Sequence, residues 1–216
     1  IGSDLNGDTT DDSFGKATSI SADGNIIAIG DPERSTYTGR VVIYERNYTN
    51  LNGWTLLGAA LDGGSTNDYY GSGVSFSSDG KILAIGAYGF TTDGKVEIRQ
   101  YNGSSWVQLG ANILGDVSSN EQIGIGNTDT ISLSNDGNII CIGHPYFNTD
   151  DSVPNIGRVK VFEYRTVSTD EWNSQTIVIA TASQTNVNSN GTGSGRGGEV
   201  YGSSTKYWIQ LGNNID

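Results

Sequence analysis

A ten-residue segment occurs three times along the chain, and this recurrence limits the possible folds more than any other property. Ser21-Ala22-Asp23-Gly24-Asn25-Ile26-Ile27-Ala28-Ile29-Gly30 returns as Ser77-Ser78-Asp79-Gly80-Lys81-Ile82-Leu83-Ala84-Ile85-Gly86, then as Ser134-Asn135-Asp136-Gly137-Asn138-Ile139-Ile140-Cys141-Ile142-Gly143. Each copy leads through a loop into an apolar run opened by glycine: Gly39-Arg40-Val41, Gly94-Lys95-Val96 and Gly157-Arg158-Val159. Tryptophan follows, in Trp54-Thr55-Leu56-Leu57-Gly58, Trp106-Val107-Gln108-Leu109-Gly110 and Trp208-Ile209-Gln210-Leu211-Gly212. Repeats of this length are single supersecondary units that bury their faces only against neighbours.

Within a unit the pattern predicts four antiparallel strands. The first alternates (Val74-Ser75-Phe76-Ser77, Ile131-Ser132-Leu133-Ser134), as a strand with two different faces does. The second, Ile82 to Ile85, is continuously apolar and suits a strand covered on both sides. Asp-Gly between them is a hairpin signal that places both turn residues at positive φ. The third strand follows the loop, and the fourth carries the tryptophan. The expected fold is all-β: a β-propeller of four-stranded antiparallel blades. Residues 1–216 form one domain, with units at about 8–62, 63–115, 116–175 and 176–216 after an N-terminal strand 1–7. Three units are full. The fourth is degenerate, built from Thr176–Ala182, Gly198–Tyr201 and the Trp208 strand around a Ser/Asn/Gly/Thr tract.

The ends repeat one another: Ile1-Gly2-Ser3-Asp4-Leu5-Asn6 stands in the register of Leu211-Gly212-Asn213-Asn214-Ile215-Asp216. The expected arrangement is a closed four-unit ring with an overlap at its seam; the alternative is a segment of a longer array. The chain has no methionine and opens on Ile1, so it reads as a processed product or a window of something longer. Composition excludes other classes. With 31 glycines, 3 prolines and 17% charged residues it is neither collagen, coiled coil nor charged disorder. A net charge of −12 repels nucleic acid and anionic membrane. One cysteine permits no internal disulfide, and no apolar run reaches the roughly 20 residues of a membrane span.

Phe14-Gly15, then Ile29-Gly30-Asp31-Pro32 and Gly39-Arg40-Val41-Val42-Ile43-Tyr44, with Tyr70-Gly71 in the second copy, make the unit resemble the FG-GAP repeat of integrin α-chain propellers and related secreted proteins. The resemblance implies a propeller fold and leaves function open. That family carries a calcium loop between its first and second strands. Here the corresponding turns hold one carboxylate each, too few for a cation needing six to eight oxygens.

Asp4, Asn6, Asp8 and Asp12 have the oxygen spacing of a calcium loop, but the second copy keeps only two of the four positions. A solvated acidic loop is the favoured alternative and no cofactor is expected. Asp12 and Asp68 share a repeat position, suited to capping backbone amides of the turn. His144 is the only histidine, so neither a zinc set nor a triad is expected, and Cys141 replaces an alanine in an apolar strand. The tryptophans recur in register and read as core. Loop aromatics that differ among copies, Tyr37, Tyr69, Tyr70, Tyr88, Phe90, Tyr146 and Phe147, are candidates for partner binding. Tyr88, Phe90, Tyr146 and Phe147 are expected to share one rim. Asn47, Asn102 and Asn190 open N-glycosylation sequons.

The expected function is that of a noncatalytic propeller at a cell or virion surface or outside the cell, serving adhesion, recognition or assembly. Its partner would be a protein or glycan surface, or further copies of itself. The alternatives are a lectin-like propeller and an architectural subunit of a filament or capsid.

Overall fold

A computed structural model describes residues 3–49, 53–115, 123, 130–145, 157–166 and 206–211. Strands β1 (Ala17–Ile20), β2 (Ile26–Asp31), β3 (Arg40–Arg46) and β4 (Trp54–Leu56) form an antiparallel sheet in that order, and β5 (Leu61–Asp62) also pairs with β3. The second sheet repeats the plan with β6 (Tyr70–Phe76), β7 (Ile82–Ala87), β8 (Lys95–Tyr101), β9 (Trp106–Gln108) and β10 (Ile113–Leu114). The third contains β11 (Ile131–Leu133), β12 (Ile139–His144), β13 (Arg158–Thr166) and β14 (Lys206–Gln210). The all-β expectation holds, and β7 is buried along its whole length, as its unbroken apolar run requires.

The Asp-Gly turns differ from the expected form in one respect. Gly24, Gly80 and Gly137 take positive φ, but their aspartates do not. The aspartate acts through its carboxylate instead: Asp23 accepts from Ser21 Oγ at 2.6 Å and from Asn25 N at 3.0 Å. Asp79 and Asp136 repeat both bonds. Ser21 Oγ in turn accepts from Ile26 N at 2.9 Å, so side chains close a wider loop than a two-residue turn would give.

Successive sheets meet through one repeated joint. Phe76 N donates to Ser19 Oγ and Leu133 N to Ser75 Oγ, each at 3.0 Å. Ala22 N donates to Ser78 O and Ser78 N to Asn135 O. Trp106 Nε1 donates to Leu57 O at 2.9 Å, and Trp208 Nε1 to Leu109 O at 3.0 Å. One apolar cluster (Ala28, Val41, Ile43, Phe76, Leu83, Ile85) lies between the first two sheets, and another (Ala84, Val96, Ile98, Ile140, Ile142, Phe162) between the second and third. Backbones approach closely here: a Cβ on Gly30 would collide with the carbonyl oxygen of Gly71.

The structure corrects the place of Trp208. Its strand, β14, pairs with β13 through Tyr164↔Trp208 and completes the third sheet; it is not the outer strand of a fourth unit. The tryptophan takes this register with its ring buried and its indole N–H on the Leu109 carbonyl of the preceding sheet, so that the ring's polar edge is satisfied. Thr176–Ala182 and Gly198–Tyr201, the other expected strands of the fourth unit, lie outside the described residues.

Candidate functional site

The loops at one end of the first two sheets are stitched together. Tyr69 N donates to Tyr37 O at 2.8 Å, Tyr70 N to Thr38 O at 3.2 Å, and Gly39 forms a parallel bridge with Tyr70. Ser35, Thr36 and Tyr37 all have positive φ, as do Asn67 and Tyr69. For side chains that rarely adopt this conformation the cost is of order 1–3 kcal/mol each, and such strain persists only where surrounding bonds impose it.

That backbone aims three rings into a ladder. Tyr37 and Tyr69 stack with centroids 5.0 Å apart, and Tyr69 and Tyr88 with centroids 4.5 Å apart. Tyr37, at the open end, is 42% exposed. The Tyr88 phenol is pushed up to about 12 by burial, with Tyr69 adding to the shift.

Beside the ladder lies a charged network. Arg40 Nε donates to Asp31 Oδ2 at 2.8 Å and Arg40 NH2 to Asp8 Oδ1 at 2.6 Å. Arg34 NH1 donates to Asp12 Oδ2 at 3.1 Å and also bonds Asp8. Asp31 is fully buried; desolvation raises its carboxyl above the ordinary value against the pull of Arg40. Asp8 is lowered: its desolvation is overcome by hydrogen bonds from Arg40 and Arg34.

Of the expected calcium ligands, the structure brings Asp8 and Asp12 together, with Asp31 as the third carboxylate, their oxygens within 4.8 Å of one another. Asp4 is not among these carboxylates, and Asp4 and Asn6 are exposed. The donor set fits calcium poorly, since two guanidinium groups already hold these oxygens and supply the counter-charge. The shared role expected of Asp12 and Asp68 divides: Asp68 Oδ2 accepts from Gly64 N and Ser65 N, whereas the Asp12 carboxylate meets Arg34.

Of the four aromatics expected on one rim, Tyr88 joins the ladder, whereas Phe90 is half-buried with Lys95 Nζ over its ring at 4.4 Å, and Tyr146 and Phe147 lie outside the described residues. Tyr70, a loop candidate by sequence, is 1% exposed and donates its hydroxyl to Glu97 at 3.1 Å. Asp31, Arg34 and Arg40 were missed. Gly30-Asp31 and Gly39-Arg40 carried the signal, because Asp31 and Arg40 are antiparallel partners. Asn47 and Asn102 sit in exposed connections, their amide oxygens bonded within their own turns; Asn190 is outside the described residues. His144, at the end of β12, is 1% exposed. Cys141 is half-buried and lines a cavity of about 290 Å³ with Ser132, Gly143 and Val159. Among the described residues no helix is long and apolar enough to cross a membrane.

No protein-family model matches the sequence, and no curated protein does. Solved structures that match part of the chain include a candidate 6-phosphogluconolactonase from Bacteroides uniformis, at 17% identity and TM-score 0.46, covering 69% of this chain and 36% of that one. TolB from Acinetobacter baumannii matches at 12% identity and TM-score 0.31, covering 68% of this chain and 40% of that one. The chain thus spans well under half the length of either. The first of these proteins bears the name of an enzyme, so the expectation that a chain of this kind is noncatalytic is withdrawn. The likeness assigns no activity to this chain.

Proposed function

We propose that the chain is part of a β-propeller of the FG-GAP kind that recognises a partner surface outside the cell or on a cell or virion surface, through the tyrosine-faced end of its first two sheets. Three similar sheets joined in one register support the architecture. One observation carries the recognition reading: the Tyr37–Tyr69–Tyr88 ladder is built from two sheets and held by strained backbone. A rigid aromatic face beside the exposed Asp8 carboxylate suits a glycan, whose C–H faces stack on rings and whose hydroxyls donate to acidic oxygens. Exposed sequons at Asn47 and Asn102 are compatible with a secreted setting.

Glycan-array binding tests this reading. Tyr37→Ala should abolish the signal with thermal stability retained, and an array bound equally well by wild type and Tyr37→Ala would remove the ladder from the site. A second reading, an architectural subunit of a larger assembly, is favoured by the exposure of Ile20 on the first sheet and Ile139 on the third.

A further inference from the structure

Among the described residues, the two outer faces of the sheet stack carry the two halves of a joint that is made twice between the sheets. Four register positions make this joint. Serine Oγ of one sheet accepts a backbone N–H from the inner strand of the next: Ser19 from Phe76, Ser75 from Leu133. The isoleucine after the hairpin receives the next turn glycine: a Cβ on Gly80 would lie 3.0 Å from Ile26 Cδ1, and one on Gly137 2.6 Å from Ile82 Cδ1. The glycine near the end of the second strand receives the next aromatic-glycine loop, as Gly30 receives Gly71. The carbonyl of the Leu-Gly step accepts the next indole N–H, as Leu57 does from Trp106 and Leu109 from Trp208.

On the third sheet the receiving positions are Ser132, Ile139, Gly143 and Leu211, and each is more open than its counterparts. Ser132 is exposed, Ile139 is 38% exposed where Ile82 is 9%, and Leu211 is 38% exposed where Leu57 is 9%. Gly143 is half-exposed where Gly30 and Gly86 are buried, and the 290 Å³ cavity runs along this face. On the first sheet the inserting positions are Ile20, Gly24, Gly15 and Trp54. Ile20 is 59% exposed where Phe76 is 7%, and Trp54 is half-buried where Trp106 and Trp208 are 6% and 1% exposed. A Cβ on Gly15 or Gly24 would meet nothing within 4 Å, unlike one on Gly71, Gly80 or Gly137. Ile29 and Val42, in the middle of this face, are already buried, so the open ground is the inner strand, the hairpin and the outer tryptophan.

We propose that a second copy of this chain completes the joint, head to tail, its Ile20, Gly24, Gly15 and Trp54 entering the positions of Ser132, Ile139, Gly143 and Leu211. The inference rests on the propeller reading above. The partner is argued from continuity: the contact extends an interface made twice among the described residues, which present both of its halves in one register. Such a contact is heterologous, and it closes or polymerises according to the rotation between copies. The described residues of two chains bring six sheets, within the four to eight blades of known rings. The net charge of −12 per chain opposes the contact, so association strengthens with added salt.

Sedimentation velocity of the full chain across concentrations, at low and moderate salt, tests this. Wild type should associate into dimers or longer head-to-tail species. Ile20→Arg blocks the inserting face and Ser132→Arg the receiving face, both at exposed positions; each alone should be monomeric, with self-affinity reduced at least about tenfold. A 1:1 mixture of the two variants should form a dimer through the one intact joint. A wild type that stays monomeric throughout, or a mixture that stays monomeric, overturns the proposal. Solution scattering of the monomer keeps the two readings apart: a disc-like stack of sheets in a strictly monomeric protein would leave the propeller reading standing and remove only the self-assembly.

Discussion

The indole N–H of Trp208 reaches the carbonyl oxygen of Leu109 at 3.0 Å across 99 residues of sequence, reproducing the bond from Trp106 to Leu57 made across 49. Both rings lie over a left-handed glycine, Gly110 and Gly58, close enough that a Cβ on either would press on the indole. The tryptophans therefore fasten sheet to sheet. Phenylalanine at 106 would keep much of the ring volume but leave the buried Leu57 carbonyl without its donor. Trp106→Phe is expected to cost about 1–3 kcal/mol and Trp106→Ala about 3–5 kcal/mol, read from urea midpoints.

Gly30 and Gly15 should respond differently to alanine. A Cβ at Gly30 collides with the Gly71 carbonyl and must push two sheets apart, for about 3 kcal/mol or more. Gly15 has φ +88 with nothing within 4 Å, leaving only the conformational penalty of about 1 kcal/mol. Equal losses in thermal unfolding would contradict the packing of this joint.

Removing Arg40 strands the fully buried carboxylate of Asp31. Arg40→Ala is expected to destabilise by about 3 kcal/mol, and Arg40→Ala combined with Asp31→Ala should recover part of it, as a double-mutant cycle would measure.

The hairpin aspartates make stability fall in acid. Hydrogen bonds from Ser134 and Asn138 lower Asp136 to about 2, and those from Ser21 and Asn25 lower Asp23 in the same direction. A carboxyl depressed in the folded state stabilises above its unfolded pKa near 4 and loses that contribution as pH falls through its folded value. The midpoint for urea unfolding should therefore decline between about pH 4 and pH 2, less steeply in Asp136→Asn.

Tyr88 predicts the opposite limb. Its phenol, raised from 10.0 to about 12, favours the folded state up to about pH 10, and the stabilisation is lost as pH rises through about 12. Ultraviolet titration should show a late-ionising tyrosine that vanishes in Tyr88→Phe.

The sheets were legible in the sequence because their register is written in glycines, aspartates and tryptophans whose chemistry permits few other placements. The tyrosine ladder was only half legible. Tyr37, Tyr69 and Tyr88 stand out as loop aromatics, but the left-handed backbone that stacks them comes from bonds between sheets, such as Tyr69 N to Tyr37 O, which no local pattern encodes. The acidic N-terminal loop, read as a solvated stretch with a cation site as the alternative, was legible only in part for a related reason. Its spacing suggested a cation, whereas the counter-ions of Asp8 are arginines 26 and 32 residues away.

Strand β14 pairs with β13 although residues 167–205 intervene. The pairing therefore joins segments far apart in sequence, and the entropic cost of bringing such segments together grows with their separation. The third sheet should consequently be the slowest to acquire its outer edge. During that interval the Leu109 carbonyl waits for Trp208.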